Sequence, residues 1–452
     1  MQQFQALSAV AFRQSLMAAG CTLTDLHDAG GAGRHWNGAL DADPALIVRC
    51  QTGEQVSRAL CLAREVHQPV SIHNGGQDWL GRSLRDGSVV LDLSAMTTIS
   101  IDAERREAAI GGGVTAGQLN AAAGEQGLTA IIGNDGAVGM AGLFMGGGYG
   151  PLMTRFGLAC DSLLSAEVVL ADGRIVCCDA NDEPDLFWAL RGGGGNFGVV
   201  TAARLRLYDL PPPLVITVVF PWSDARAAIM AYAELMQCAP AELFGSAVLA
   251  VGPGGAPVAV VSLVWTGADD RGETFVTEVV AAGTPIVVKA GLMPASALLS
   301  LTDGKLMQGR GYDVGTRWFA TLSADAIDSL IAGFEARTSA LSSIIVHHCY
   351  GAATAISADA TAFGQREPHF TALLYATWDP PSADGAVPRA WTAQLMANLA
   401  PAAMPGGYAN LLPDASTEQV AGAYGPNAAK LAVLKRRYDP DGVLRAIPLP
   451  SR

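Results

Sequence analysis

The chain has 452 residues, half of them hydrophobic and 16% charged, which suits two or three packed units and excludes a disordered polymer. Lys and Arg number 29 against 42 Asp and Glu, a formal net charge of -13. Such a surface repels phosphate backbones and anionic bilayers, so neither nucleic acid nor a membrane is expected as a partner. The first twenty residues carry no basic leader, and their short apolar run is cut by Arg13 and Gln14, so a cytoplasmic protein is expected. The eight cysteines are scattered without CxxC or Cys/His ligand spacing; they read as reduced thiols, with no metal site.

In chain order, Ala45 to Cys50 is an apolar strand. Thr52 then caps a helix running to about His67, with Gln55 three residues on. Pro69 to His73, Val89 to Leu93 and Glu107 to Ile110 are further strands, and a helix starts near Thr115 and ends near Gly124. Ser165 to Leu170 and Ile175 to Cys177 form a hairpin about an Asp-Gly turn. Pro211-Pro212-Pro213 can continue neither ladder nor helix and marks a linker. Beyond it, strand-like runs (Leu214 to Phe220, Val258 to Trp265, Ala372 to Trp378) alternate with helix-like ones (Asp224 to Gln237, Ala324 to Ala336), an α+β texture.

Three glycine loops could turn amide N–H groups toward a phosphate. Gly193-x-Gly195-x-x-Gly198 matches the dinucleotide fingerprint, but it follows a helix and precedes a strand, the reverse of what that fingerprint requires. Gly111-x-Gly113-x-x-Ala116 has the right order, strand then helix, yet no further βαβ repeats follow. The run Gly133 to Gly150 holds eight glycines in eighteen residues, interleaved with Val138, Met140, Leu143, Phe144 and Met145. A buried loop of this kind must place its amides somewhere; wrapping a large, partly anionic cofactor is one solution and core-spanning structure is the other.

Taken together, PVSIHNGGQDWLG (Pro69 to Gly81), VGMAGLFMGGGYGPLMTRFGLACD (Val138 to Asp161), DLFWALRGGGGNFGVVT (Asp185 to Thr201), DATAFGQRE (Asp359 to Glu367), GGYANLLPD (Gly406 to Asp414) and KRRYDPDGVLR (Lys435 to Arg445) occur in an order that resembles the berberine bridge enzyme-like branch of the vanillyl-alcohol oxidase and p-cresol methylhydroxylase superfamily. The resemblance implies an α+β chain. Residues 1–208, with 405–452 returning to them, would form an FAD-binding domain of the p-cresol methylhydroxylase type. Residues 209–404 would form an α+β substrate domain whose antiparallel sheet covers the flavin. It implies FAD held by His73, Asn74, Gly75, Gly76, Gln77 and Asp78, whose amides would meet the pyrophosphate. Gly133, Asp135, Val138, Gly139, Gly142, Gly148, Gly157, Leu158, Val199 and Val200 would line the flavin and its adenosine end.

Two departures from the family pattern stand out. Many members attach FAD through a histidine in R-S-G-G-H; here that position is Gln77, whose amide cannot alkylate. Where doubly linked members have a cysteine in G-x-C, this chain has Asp135; Cys160 lies in RFGLACD, outside the family's attachment site. The flavin is therefore expected to be non-covalent and a weaker oxidant than a linked one. Tyr408, in Y-x-N, matches a tyrosine that serves as base in several members; it is the catalytic candidate, equally readable as a packed aromatic, and a base of this kind needs a nearby cation. Asn410, His348, Tyr350 and Tyr375 are the candidate substrate contacts. Of the adjacent His347 and His348 only one can face the flavin, because neighbours on a strand point to opposite sides. His369, Arg310, Tyr312 and Arg317 are further possibilities, and Trp79 reads as packing. Two functions remain open: an FAD-dependent oxidase or dehydrogenase acting by hydride transfer on a small, secondary-metabolite-type substrate, and a non-redox cyclase or lyase that keeps FAD as a scaffold. A monomer or homodimer is expected.

Overall fold

The computed structural model describes residues 2–450 except 26, 27, 29, 269, 303–306, 380–384 and 415. Local chemistry sets the early elements. The Thr52 side chain accepts from Gln55 N–H and opens the helix Gly53–Glu65. Thr115 and Gln118 form a reciprocal capping box ahead of Ala116–Gly124. The strands Leu46–Arg49 and Val70–His73 flank Val89–Asp92 in parallel, with Thr22–Thr24 added antiparallel at one edge. A second, five-stranded sheet is antiparallel and runs in the order Ile99–Asp102, Glu107–Gly111, Val199–Arg206, Leu163–Val169, Ile175–Cys178. The hairpin read from ADGR is its last pair, with Gly173 at φ +87° in the turn. Since Glu107–Gly111 sits antiparallel between its neighbours, the Gly111 loop does not open a parallel dinucleotide unit. Its glycines serve close packing instead: a Cβ on Gly113 would stand 2.0 Å from the Leu93 carbonyl oxygen.

Residues 214–378 contribute one seven-stranded sheet, antiparallel throughout. Its order is Val287–Leu292, Leu214–Pro221, Pro257–Trp265, Leu243–Val251, Ser343–Cys349, His369–Trp378, Gly311–Phe319. Alternation along the strands gives the sheet two faces. Ile344, Val346, Phe370, Ala372 and Leu374 point outward to a core shared with the helices Ala225–Gln237, Ala324–Glu335 and Ala386–Leu399. Cys349, Leu373 and Tyr375 point inward, into a core continuous with Leu143, Phe144, Tyr149 and Leu158 of the glycine-rich region. The edge strand Val287–Leu292 is exposed along its whole length. Among the described residues no helix is long and apolar enough to cross a membrane.

A buried ion pair ties the two layers. Arg366, in the segment leading into the His369 strand, holds both carboxylate oxygens of Asp161 at 2.7 and 2.9 Å, and its remaining donors reach Thr361 Oγ1 and the carbonyls of Ala353 and Phe363. The two side chains are only 3% and 13% exposed. Removing one partner strands the other charge, so Arg366→Met is expected to lower stability by about 3–5 kcal/mol in chemical denaturation, far more than loss of a surface pair. A loss under about 1 kcal/mol would show that the pair does not hold the layers together.

Candidate functional site

A cleft of about 320 Å³ runs between the glycine-rich region and the inner face of the sheet. One wall is the turn that follows the Val70–His73 strand. Gly75 packs backbone on backbone: a Cβ there would lie 2.4 Å from both Ala137 O and Gly139 N. Gly76 has φ +69°, and a Cβ on it would meet His73 Nε2 at 2.8 Å. Both positions therefore require glycine. Asn74 Nδ2 donates to the Gly112 carbonyl, while its buried Oδ1 has no partner. The amide N–H groups of Gly75, Gly76, Gln77 and Asp78 donate to no protein acceptor among the described residues. A turn of consecutive free amides is an anion-binding concavity, so this wall fits the diphosphate of a dinucleotide.

Asn74, Gly75, Gly76, Gln77 and Asp78 all line the cleft, as do Gly133, Asp135, Val138, Gly139, Gly142, Val199 and Val200. The Asp135 carboxylate accepts from Ala137 N–H at 2.7 Å. A Cβ on Gly142 would meet nothing within 4 Å, so this helical glycine opens onto empty space. Gly194, Gly195 and Gly198 border the cleft too, although their helix-then-strand order excludes the dinucleotide fingerprint. Leu444, Arg445, Ala446 and Ile447 close that end.

Four expected cofactor contacts lie elsewhere. His73 is 5% exposed and turns away from the cleft, its Nδ1 3.3 Å from Asp92 Oδ1. Burial opposes ionisation of Asp92, but hydrogen bonds from His73 and Ser94 prevail and hold its carboxyl well below the usual range. His73 thus anchors the turn from beneath. Gly148 and Gly157 adopt φ of +85° and +97° to let the chain reverse; a Cβ on Gly148 would strike Ala159 Cβ at 2.5 Å. Leu158 is fully buried and gives its N–H to Asp161 Oδ2 at 2.9 Å. Cys160 is fully buried, its thiol pushed up by desolvation.

The opposite wall comes from the sheet and the C-terminal segment. Tyr375, Leu373, His347, Tyr408 and Asn410 line it, together with Trp36, Trp79 and Tyr149. Strand parity decides between the paired histidines. His347 faces the cleft, and burial pushes its imidazole down to about 3. Its Nε2 has no hydrogen-bond partner. His348 points the other way, stacked on Phe370 with ring centroids 4.2 Å apart, its Nδ1 2.9 Å from Met236 O. Tyr350 also leaves the site, donating to the carbonyls of Leu243 and Pro240. Both expected substrate contacts are corrected on this ground: they belong to the helix-covered face. Arg310 and Arg317 bond Asp379 and the Met396 carbonyl instead of reaching the cleft.

The Tyr408 hydroxyl accepts from Gly148 N–H at 3.3 Å. Burial pushes it up, opposed by the Gly148 and Tyr149 amides, with no cation taking part. Trp36, Trp79, Tyr312 and Tyr375 form an aromatic cluster with centroids 4.3 to 5.2 Å apart. Arg82 reaches from the glycine turn to the carbonyls of Asn410 and Leu412, clamping the C-terminal segment over the cleft. Arg82 and Tyr149 are not foreseeable contacts from their local sequence, and His347 is foreseeable only as one of two adjacent histidines. Tyr149 carried the one available signal, a phenol in the middle of a glycine run.

Comparison with known proteins agrees with this geometry. Residues 44–179 match the model of the FAD-binding domain family. The chain is 41% identical over 176 residues to (R)-6-hydroxynicotine oxidase of Paenarthrobacter nicotinovorans, a match covering 39% of this chain and 38% of that protein. Over 420 residues it is 30% identical to an FAD-linked oxidoreductase of Pyricularia oryzae, covering 87% of this chain and 81% of the relative. The solved structure of a berberine bridge enzyme-like protein from Physcomitrella patens superposes with a TM-score of 0.87 at 22% identity, covering 98% of this chain and all of the other, a likeness of fold. The glycine turn, the cleft and these matches agree: the chain belongs to the FAD-linked oxidoreductases, and its fold is that of the berberine bridge enzyme-like protein.

Proposed function

We propose that the protein dehydrogenates a neutral, ring-bearing small molecule of secondary-metabolite type at a C–OH or C–NH centre, with FAD bound non-covalently. The observation that carries this reading is the division of the cleft into two chemistries. One end offers the free amides of Gly75 to Asp78, with Arg445 at its border; the other offers aromatic rings, Leu373, Asn410 and an uncharged His347. Such a wall favours a flat apolar body with a few polar groups and disfavours an ion, whose desolvation nothing there would offset.

FAD, when bound, supplies a two-electron hydride acceptor. The chain's own residues do the rest. The Asn74–Asp78 turn and the glycine surface at Gly139 and Gly142 hold the cofactor by backbone contact, with Gln77 offering an amide at the position where a covalent anchor would stand. Trp36, Trp79 and Tyr375 exclude water and orient the substrate ring. Tyr408, whose oxygen already accepts from Gly148, presents its O–H as a donor.

Two outcomes are expected. The purified holoprotein is yellow, and on acid precipitation all flavin absorbance passes to the supernatant; colour kept in the pellet would contradict the non-covalent assignment. Under anaerobic conditions, at least one compound of a panel of benzylic alcohols, benzylic amines, 6-hydroxynicotine and neutral oligosaccharides bleaches the flavin. Product formed while the flavin stays oxidised would instead mark a non-redox cyclase or lyase. Separately, Gly142→Leu places a side chain in the empty part of the cleft. It should weaken FAD binding roughly 10- to 100-fold while the apoprotein unfolds at the same or a slightly higher temperature, since leucine suits a helix better than glycine. Unchanged FAD affinity would remove Gly142 from the cofactor site.

A further inference from the structure

Two buried thiols, Cys21 and Cys50, lie outside the cleft and take no part in its chemistry. The strand Thr22–Thr24 pairs antiparallel with Leu46–Arg49, Thr22 facing Arg49 and Leu23 facing Val48. Carried one residue further, that register sets Cys21 against Cys50. Neither amide bonds across the pair: Cys21 N–H returns to Leu16 O at 3.1 Å, and Cys50 N–H crosses to Asp92 O at 2.9 Å. The two residues therefore oppose each other at a non-hydrogen-bonded position. There α carbons stand about 4.5 Å apart, inside the roughly 4.4–6.8 Å that a disulfide spans. The side chains meet, the Cys50 thiol hydrogen-bonding to the Cys21 sulfur. Main-chain carbonyls hold both sulfurs in place, Gln55 O at 3.8 Å from Cys21 Sγ and Val48 O at 3.7 Å from Cys50 Sγ. Both cysteines are free, in an apolar core with Leu16, Val48, Val56 and Leu60.

We propose that Cys21 and Cys50 are a modification site at which hydrogen peroxide forms a reversible disulfide, closing residues 22–49 into a covalent ring. Cys21 is the attacking sulfur. It is 6% exposed where Cys50 is 0%, and an oxidant as small as peroxide suits so slight an exposure. The hydrogen bond from Cys50 draws the Cys21 thiol down against the effect of burial, while the same bond and burial push Cys50 up. The Cys21 thiolate attacks one peroxide oxygen; the O–O bond breaks, hydroxide leaves and Cys21 becomes a sulfenic acid. Cys50 Sγ then attacks Cys21 Sγ; the S–S bond forms, the S–O bond breaks, and that oxygen leaves as water with the Cys50 proton. The hydroxide takes up the proton that Cys21 gave up. The two sulfurs lose two electrons, and peroxide is reduced to two waters.

Between the two cysteines the chain runs out to the cleft and back. Trp36 stands in the cleft wall, Asn37 donates to the carbonyls of Trp79 and Tyr312 at 3.0 and 2.9 Å, and Gly38 N–H donates to Arg310 O at 2.7 Å. The tip of the segment is thus bonded both to the glycine-turn side and to the sheet. Its root is held by the three-residue strand Thr22–Thr24. A disulfide at the root removes freedom from the unfolded chain and fastens the segment that delivers Trp36. It leaves Cys50 N–H on Asp92, so the carboxylate beneath the glycine turn keeps its place. In a reducing compartment such a bond is transient, made under peroxide and reversed by thiols.

The test treats the full chain with hydrogen peroxide at neutral pH, blocks the remaining thiols under denaturing conditions and maps unreduced peptides by mass spectrometry. A peptide pair joined through Cys21 and Cys50 is expected, released by a thiol reductant and absent from Cys21→Ala. The melting midpoint of the oxidised wild type should exceed that of the reduced protein by about 2–6 °C, with no such rise in Cys21→Ala or Cys50→Ala. Cys50→Ala keeps the attacking sulfur without its partner, so it should accumulate a sulfenic acid at Cys21, trapped as a dimedone adduct; Cys21→Ala should give none at Cys50. The exposed Cys177 and Cys238 report that peroxide has acted. Recovery of Cys21 and Cys50 as blocked thiols once those two are oxidised, or their cross-linking to other cysteines, overturns the proposal. An adduct at Cys50 in Cys21→Ala overturns the order of attack, and a Cys21–Cys50 bond with an unmoved melting midpoint overturns the ring as a fastening.

Discussion

At Gly75 one stretch of backbone lies directly on another, and the cofactor end of the cleft depends on that contact. Neither Gly75 nor Gly139 has room for a Cβ, the first facing Ala137 O and the second facing the Asn74 side chain. The contact leaves the amides of Gly75 to Asp78 without protein partners, a state that a buried turn tolerates only if something else satisfies them. Beneath it, Asp92, fully buried, gathers His73, Arg49 and Ser94 N–H and fixes the end of the strand from which the turn springs. The turn is thus rigid for a local reason, and the surface it offers is made of backbone rather than of side chains.

The inner face of the sheet supplies the complementary constraint. Because its strands alternate strictly, a single residue of register moves an imidazole from the cleft to the helix-covered core, and the whole character of the substrate wall follows from which residues are odd. His347, Leu373 and Tyr375 face inward; their neighbours His348, Ala372 and Leu374 pack outward. The wall is therefore aromatic and uncharged; among the described residues the charged groups that line the cleft, Asp78, Arg82, Asp135 and Arg445, all come from outside the sheet.

Much of this was legible in the residues, and the boundary of legibility is physical. The Thr52 cap, the helix start near Thr115 and the Asp172-Gly173 hairpin are local signals, complete within a few residues, and they appear where they were expected. So does the glycine turn, because a demand for positive φ or for close approach is written in residue type. What was not legible depends on distance along the chain. The choice between His347 and His348 required the strand's register against Leu243–Val251 and His369–Trp378. Gly148, Gly157 and Leu158 share their glycine-rich segment with true lining residues, yet a reversal of the chain carries them behind the wall. Arg82 and Tyr149 act through partners 328 and 220 residues away, which no window of sequence contains.

That distance has a consequence for how the protein matures. The cleft draws on Trp36 near the start of the chain and on Leu444 to Ile447 within ten residues of its end, and Asn196 and Lys435 fasten that last segment in place by hydrogen bonds to the Ile447 and Leu444 carbonyls. A chain emerging at about 5–20 residues per second therefore completes the sheet, at Trp378, before the Leu444–Ile447 segment that closes the pocket is made. Cofactor loading waits for that segment, and a chain cut before Leu444 would fold most of its core yet lack a finished seat for FAD.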